Sequence, residues 1–308
     1  MCLAAFAINA SARWPLVIAS NRDEFFDRPS LSLARWQSES GQQIISGRDV
    51  LAGGTWLGFI PAGRLALLTN VRELPQAGQA AAPKSRGELV IRWLEGDMDA
   101  DQFMAQTDCA AYGGFNLVLG DFQSGIHSGI KSSNWTWVSN RSFDANAPGQ
   151  STHTPQRVNW QSRALAPGVY GLSNAALDTP WAKTVALKAA LADAMTEPRE
   201  VLEAQLWTAL GDRHRHTQRT CPQGLPDTGL PLELEEMLSS AFVDDPLRGY
   251  GTRCSTLLIV EASDNTAHAD GWTLRIEEKT QIRPTLNPGT LEQTSSVINL
   301  RWPPDAGS

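Results

Sequence analysis

The stretch Met1-Cys2-Leu3-Ala4-Ala5-Phe6-Ala7-Ile8-Asn9 is an apolar run, and a short segment containing Pro15 separates it from a second run, Leu16-Val17-Ile18-Ala19-Ser20. Two such runs joined by a short polar segment predict a β-hairpin. The second run continues into Asn21-Arg22-Asp23-Glu24. In an antiparallel pair these four residues lie beside the start of the first strand. The sequence therefore predicts that Cys2 and the polar run meet at one end of a sheet, although four polar residues in a row are also typical of a solvated turn.

Cys2 directly follows the initiator Met1. Because the Cys side chain is small, we expect an aminopeptidase to remove Met1, which leaves a thiol and a free α-amine on one residue. The reference pKa of such an amine is about 7.7–8.0 and that of the thiol about 8.5, so the amine can act as the base for its own thiol. The alternative is an inert, small buried Cys at the start of a strand.

Composition limits the classes of function. The net charge of −7 argues against nucleic acid as a partner, because phosphate binding needs a basic surface. No apolar run approaches the roughly 18 residues of a transmembrane helix, and no basic residue precedes the N-terminal apolar run, so neither a membrane span nor a signal peptide is expected. The four cysteines are widely spaced and form no CxxC motif, which predicts a reduced, cytoplasmic protein without a zinc site.

The order of the predicted elements favours two β-sheets stacked on each other and covered by helices, which is an α+β fold with a four-layer αββα sandwich. A doubly wound parallel fold fits less well, because no helix separates the opening strands. The chain of 308 residues is predicted to be a single domain, 1–308, with a core to about residue 280 and a loose tail in the last dozen residues. The polar, Pro-rich segment 141–167 predicts a long loop.

Several polar residues at predicted strand ends are candidates for chemistry. Arg22 would lower the thiol pKa, while a carboxylate of Asp23 or Glu24 would anchor the α-ammonium or orient that Arg. Asn70 and Asn174 each end a strand-like run and can offer N–H donors to a developing oxyanion, although Asn is also common at ordinary strand ends.

Further candidates lie next to glycines or on other strands. Arg72 would bind a substrate anion or simply solvate a loop. Arg253 begins a late strand and requires an acidic partner, for which Asp23 and Glu24 are candidates. Gly53 and Gly54 precede a strand, which excludes a dinucleotide fingerprint and predicts tight backbone packing. Trp56 follows them, and Trp commonly lines ligand clefts.

Together these motifs resemble the NRDE family, whose animal members are called transport and Golgi organisation proteins. The resemblance runs from residue 1 to about residue 280. The motifs are Met1-Cys2-Leu3, Asn21-Arg22-Asp23-Glu24, Gly53-Gly54-Thr55-Trp56-Leu57-Gly58, Leu68-Thr69-Asn70, Gly114-Phe115-Asn116-Leu117, Leu172-Ser173-Asn174 and Tyr250-Gly251-Thr252-Arg253.

That family in turn is similar to the N-terminal-nucleophile hydrolases, in the branch of choloylglycine hydrolases and penicillin V acylases. The resemblance implies their αββα sandwich and a catalytic set of Cys2, Arg22, Asp23, Asn70, Asn174 and Arg253. In those hydrolases the Arg and the Asp are separated by other residues, whereas Arg22 and Asp23 are adjacent. Animal members of the family are also linked to haem trafficking and to lipid homeostasis, including acyl-CoA.

The sequence thus favours a cysteine amidohydrolase acting on a non-peptide amide or thioester, with Glu24, Trp56 and Arg72 as substrate-binding candidates. The alternative is a non-catalytic carrier for haem or an acyl-CoA-type lipid. A third, structural alternative is a pseudoenzyme that acts through partner binding. We expect a small apolar or amide ligand, no required cofactor and no metal, with haem as a conceivable bound ligand. The sequence does not indicate the oligomeric state.

Overall fold

A computed structural model describes residues 2–74, 82–121, 134–142, 156–220, 224–262, 272–284 and 289–302. The strands are β1 (Cys2–Ile8), β2 (Leu16–Phe25), β3 (Ser30–Gln37), β4 (Gln43–Asp49), β5 (Leu57–Phe59), β6 (Arg64–Asn70), β7 (Phe115–Asp121), β8 (Asn134–Ser142), β9 (Gln156–Ala164), β10 (Gly168–Leu172), β11 (Asp244–Asp245), β12 (Tyr250–Ala262), β13 (Trp272–Ile282) and β14 (Glu292–Trp302). The α-helices are α1 (Gly87–Glu95), α2 (Ala100–Ala105), α3 (Ala182–Ala194), α4 (Arg199–Leu210) and α5 (Leu232–Met237).

The strands form two antiparallel sheets. The first has the order β10-β1-β2-β12-β13-β14, with β11 paired to β12, and the second has the order β3-β4-β5-β6-β7-β8-β9. This arrangement confirms the predicted α+β class. None of the helices in the described ranges is long and apolar enough to cross a membrane.

Three large apolar clusters among the described residues hold the sheets and α1 to α4 together, and a smaller one contains Met237 of α5 and Tyr250 of β12. Side chains such as Phe6 and Ile18 of the first sheet pack against Phe59 and Leu67 of the second. The opposite face of the first sheet packs against α3 and α4, and the opposite face of the second packs against α1 and α2. Strands buried on both faces lose the alternation of polar and apolar residues, which explains why β1 reads as one apolar run.

The predicted hairpin is confirmed, with Cys2 opposite Arg22 and Ile8 opposite Leu16. The second strand is longer than predicted, because β2 continues through Asn21-Arg22-Asp23-Glu24 to Phe25. The first three of these polar residues are buried. The polar run is therefore part of a central strand and not a solvated turn.

Two predictions for the later chain are wrong in part. The predicted loop 141–167 contains β9, which pairs with β8, while residues 143–155 lie outside the described residues. The predicted loose tail is a strand as far as Trp302, because β14 pairs with β13 along its whole length. Most side chains of β14 are exposed, so its sequence carries little apolar signal.

Candidate functional site

A cavity of about 130 Å³ opens at the end of the β1–β2 hairpin, between the two sheets. Its wall contains several of the predicted site residues together with others that the sequence did not suggest. The lining residues are Cys2, Arg22, Asp23, Glu24, Arg28, Asp49, Thr55, Trp56, Leu68, Asn70, Ser85, Arg86 and Gly87.

Cys2 begins β1 and its side chain lies at the cavity wall, with 9% of the residue exposed. Its carbonyl oxygen accepts a hydrogen bond from the Ser173 hydroxyl at 3.1 Å, which fixes the strand end against β10. Burial raises the pKa of the Cys2 thiol, and the carboxylates of Asp23 and Glu24 add to the rise. The positive N-terminus and Arg22 act in the opposite direction.

The four residues of the polar run divide between the two faces of β2. Asn21 points away from Cys2, where its amide nitrogen donates to the carbonyls of Leu210 at 2.9 Å and Ala241 at 2.8 Å. Asp23 accepts a hydrogen bond from the Thr252 hydroxyl at 2.7 Å on the neighbouring strand. Arg22, Asp23 and Glu24 reach the cavity, whereas Asn21 anchors the sheet to α4.

The guanidinium of Arg22 lies over the Trp56 ring, with Cζ 4.2 Å from the ring centroid. Its Nη2 atom is 3.6 Å from the Asp49 carboxylate and 3.9 Å from that of Glu24, which is an electrostatic approach longer than a good hydrogen bond. Trp56 and Glu24 both line the cavity. A cation over a Trp face contributes about 0.5–2 kcal/mol and fixes the plane of the guanidinium.

Sequence reasoning missed Arg28, Asp49 and Arg86. Arg28 follows β2 and donates from Nε to Asp49 at the end of β4, at 2.8 Å. Arg86 immediately precedes α1 and donates from Nη1 to the Gly114 carbonyl at 3.1 Å. These residues come from three separate segments, so only the packing of the second sheet on the first brings them to Cys2. The one available signal for Arg86 was its place at the start of the segment from Ser85 to Gly96, where the helical spacing of apolar residues predicts a helix.

Asn70 lines the cavity at the end of β6, and Asn174 supports it from behind. The Asn174 amide nitrogen donates to the Asn70 carbonyl at 2.8 Å, and the Asn174 carbonyl accepts from the Arg72 amide at 2.7 Å. The two predicted Asn residues therefore do come together. Asn70 faces the cavity, while Asn174 acts by holding Asn70 in position.

Arg72 and Arg253 are not among the described residues that line the cavity. Arg72 is buried in an ion pair with Glu235 and lies over the Trp181 ring. Arg253 donates to the carbonyls of Phe25 at 2.6 Å and Arg28 at 2.9 Å, and these bonds stabilise the turn after β2. Its guanidinium does not pair with Asp23 or Glu24, which were its predicted partners. Both arginines thus form their hydrogen bonds with acceptors of the protein itself.

Gly54 brings α1 to the cavity. A Cβ atom on Gly54 would lie 2.4 Å from the carbonyl carbon of Gly87, so only glycine permits this approach. The Thr55 amide donates to the Gly87 carbonyl at 3.4 Å, a long bond that joins the two segments. The predicted tight backbone packing at this glycine pair is confirmed at Gly54.

The described cysteines Cys2, Cys109 and Cys254 are free thiols. Within the described ranges, His, Cys, Asp and Glu side chains form no group of three that could hold a metal ion. The chemistry that this cavity offers is therefore that of a thiol among guanidinium, carboxylate and amide groups.

Comparison with known proteins shows the family to which this chain is similar. Residues 1–270 match the sequence profile of the family Transport and Golgi organisation 2. The chain is 33% identical to the Transport and Golgi organization protein 2 homolog of Bos taurus and 32% identical to that of Homo sapiens. Each of these matches covers 269 residues, which is 83% of this chain and 85% of the relative.

Among solved structures, the chain resembles the Caenorhabditis elegans N-acylethanolamine-hydrolyzing acid amidase (NAAA) ortholog. The TM-score is 0.45 at 11% identity, over 87% of this chain and 96% of the other. A likeness this weak supports no argument about fold or activity. The profile match and the relatives agree with the family expected from the motifs, and the chain belongs to the Transport and Golgi organisation 2 family.

Proposed function

We propose that this protein is a cysteine amidohydrolase, in which Cys2 attacks a non-peptide amide or a thioester after Met1 has been removed. The observation that carries the proposal is the position of the Cys2 thiol on the cavity wall, directly across the hairpin from Arg22 and beside Asp23 and Asn70. A cavity of about 130 Å³ is smaller than the roughly 300–1,000 Å³ of sites that enclose drug-sized ligands. It therefore suits the reacting end of a substrate.

The thiol must lose its proton before it attacks. Burial raises the pKa of Cys2 while the positive N-terminus lowers it from one residue away. Removal of Met1 transfers that α-amine to Cys2 itself, where it lies closer to the sulfur and accepts the thiol proton. Arg22 stabilises the thiolate, and Asp23 holds the α-ammonium that forms.

Attack forms a bond from the Cys2 sulfur to the substrate carbonyl carbon and places negative charge on the carbonyl oxygen. The Asn70 side chain supplies a donor to that oxyanion, and Asn174 keeps Asn70 in place. The C–N or C–S bond of the substrate then breaks, and the leaving group takes the proton from the α-amine. Water hydrolyses the resulting thioester, which releases the acid and restores the thiol.

The test is a panel of acyl amides and thioesters incubated with the wild type and with Cys2→Ala. We expect turnover and an acyl adduct on Cys2 by peptide mass spectrometry, and neither in the variant. Cys109→Ala is the matched control, because Cys109 is a buried free thiol outside the cavity. Neither turnover nor a trapped adduct from the wild type would defeat the proposal.

A second candidate is a carrier that binds haem or an acyl-CoA-type ligand in the same cavity without chemistry. The raised pKa of the Cys2 thiol favours it, because a protonated thiol is a poor nucleophile. Trp56 also gives the cavity wall an aromatic ring, one face of which is covered by Arg22. Titration of haem and of an acyl-CoA into the wild type and Cys2→Ala tests this candidate. Binding no tighter than to an unrelated acidic protein removes it.

The wider architecture belongs to the same proposal. The order of the three apolar clusters, helices on sheet on sheet on helices, supports a four-layer αββα sandwich of the N-terminal-nucleophile type. We also retain a single domain over 1–308, a cytoplasmic location and a small-molecule ligand in place of nucleic acid. The free thiols agree with a reducing compartment.

A further inference from the structure

The first turn of α1 opens onto the Cys2 cavity. Ser85, Arg86 and Gly87 all line it, and no side chain in the described part of the chain caps this helix end. The amides of Glu88 and Leu89 already donate to the carbonyls of Ser85 and Arg86, at 3.2 and 3.1 Å. The helix therefore acts on an anion mainly through the partial positive charge of its N-terminus. Because Gly54 permits backbone contact with Gly87, the helix end lies closer to the cavity than any side chain at position 54 would allow.

Arg22 adds a second, independent indication of a ligand. Its side chain is 94% buried, and Nη1 has no hydrogen-bond partner within the described residues. Its Nη2 atom approaches Asp49 only to 3.6 Å. A buried donor left without an acceptor destabilises the folded protein, and more so when it is charged. Arg22 therefore carries donor capacity at the cavity wall that no described acceptor satisfies.

The cavity wall carries three arginines, Arg22, Arg28 and Arg86, and three carboxylates, Asp23, Glu24 and Asp49. Asp49 bonds to Arg28 at 2.8 Å and accepts the amides of Leu51 and Ala52. Glu24 accepts the amide of Phe25 at 3.0 Å. The Nη1 atom of Arg86, by contrast, donates to a neutral carbonyl, which is the one hydrogen bond described for its side chain. Among the described residues, Arg22 and Arg28 each have a carboxylate within 4 Å, whereas Arg86 is the one arginine of the cavity wall without such an ion pair.

We propose that Arg86, Arg22 and the N-terminus of α1 form an anion subsite beside Cys2, and that the substrate carries a carboxylate or phosphate close to the carbonyl that Cys2 attacks. This inference rests on the proposed function only in that Cys2 is the reacting group. A guanidinium pairs with either anion through charge-assisted hydrogen bonds, and the helix N-terminus favours the same charge.

Alkylation of Cys2 by iodoacetate and by iodoacetamide tests the subsite without any turnover. In each case sulfur displaces iodide from the same kind of carbon, but only iodoacetate carries a negative charge. We expect the iodoacetate-to-iodoacetamide rate ratio at Cys2 to exceed that of a peptide with the same first residues by roughly tenfold or more. Arg86→Gln should lose most of the excess, and Arg86→Lys should keep part of it.

Lys84→Gln is the matched control, because Lys84 is an exposed neighbour paired with Glu88 and lies outside the cavity. Protection of Cys2 from iodoacetamide by acetate or by inorganic phosphate, each against chloride, identifies the preferred anion. A wild-type ratio equal to that of the peptide overturns the subsite, even if amides are hydrolysed. A raised ratio without any hydrolysis keeps the subsite and removes the hydrolase.

Discussion

Arg22 and Glu24 of β2 lie on the same face of the first sheet as Cys2 of β1, and they shift the pKa of its thiol in opposite directions. The carboxylate of Glu24 raises the pKa of the Cys2 thiol and the guanidinium of Arg22 lowers it. Glu24→Gln should therefore shift the pH midpoint of Cys2 alkylation by uncharged iodoacetamide to lower pH, and Arg22→Gln should shift it to higher pH. Glu39→Gln, in an exposed turn, is the control. Shifts of the same sign in both variants would contradict this arrangement of charges.

Lys183 is a buried charge on the opposite side of the first sheet. It is 4% exposed, its Nζ has no hydrogen-bond partner among the described residues, and burial lowers its pKa to about 8. Since the unfolded chain binds this proton more tightly, the cost of folding with a charged Lys183 is complete below pH 8. It declines as the pH rises toward the unfolded pKa of 10.5.

Lys183→Met should accordingly raise the free energy of unfolding at pH 7 by on the order of 2 kcal/mol, with a gain that shrinks above pH 8. Urea unfolding at several pH values measures it. Lys188→Met on the same helix is the control, because Lys188 is partly exposed and paired with Asp178 at 2.6 Å. A variant less stable than the wild type at pH 7 would show that Lys183 is held by a favourable partner.

Among the elements, α1 depends on one glycine contact for its position. Gly54→Ala should lower the free energy of unfolding by about 1–3 kcal/mol and move the helix start away from Cys2, because the new methyl meets backbone and not a flexible side chain. Gly168→Ala is the control, since its nearest neighbour would be an ordinary 3.7 Å away. Equal stability of the two variants, measured by thermal unfolding, would refute the contact.

Arg253 stabilises the turn between β2 and β3 from the point in β12 where the pairing register with β2 shifts, between Thr252 and Cys254. Arg253→Met should cost about 2–3 kcal/mol of stability, because it removes charge-assisted bonds to two carbonyls, yet Cys2 should still be acylated below the unfolding midpoint. Arg35→Met, at an exposed arginine, should change little. Unaltered stability with acylation abolished would instead place Arg253 in the chemistry.

Local patterns identified some elements and missed others for physical reasons. The β1–β2 hairpin and α1 were predictable, because buried strands read as apolar runs and α1 has four apolar residues at helical spacing. The strands β3 and β14 could not be predicted from the sequence. Each is an edge strand with many exposed side chains, so it lacks an apolar pattern, and the backbone hydrogen bonds that stabilise it leave no mark in the sequence. The whole of β9 lies within the polar, Pro-rich segment 141–167 that predicted a loop, for the same reason.

At the scale of the whole molecule, the cavity exists only because the two sheets pack together. The first sheet supplies Cys2 and Arg22, and the second supplies Asp49 and Asn70. The neighbours of Cys2 within its own hairpin could be predicted from pairing alone. Partners from other segments could not be predicted in this way. Arg72, for example, lies near a strand end, but the sequence does not show that its guanidinium pairs with Glu235, 163 residues away.

The central claim is that Cys2 is the first residue of the working protein and its nucleophile. The intact mass of the chain purified from its native cell tests this claim most directly. We expect a mass equal to residues 2–308, without Met1 and without a blocking group on the amine. A mass that retains Met1 would contradict it, because Cys2 would then have no α-amine to take the proton from its thiol.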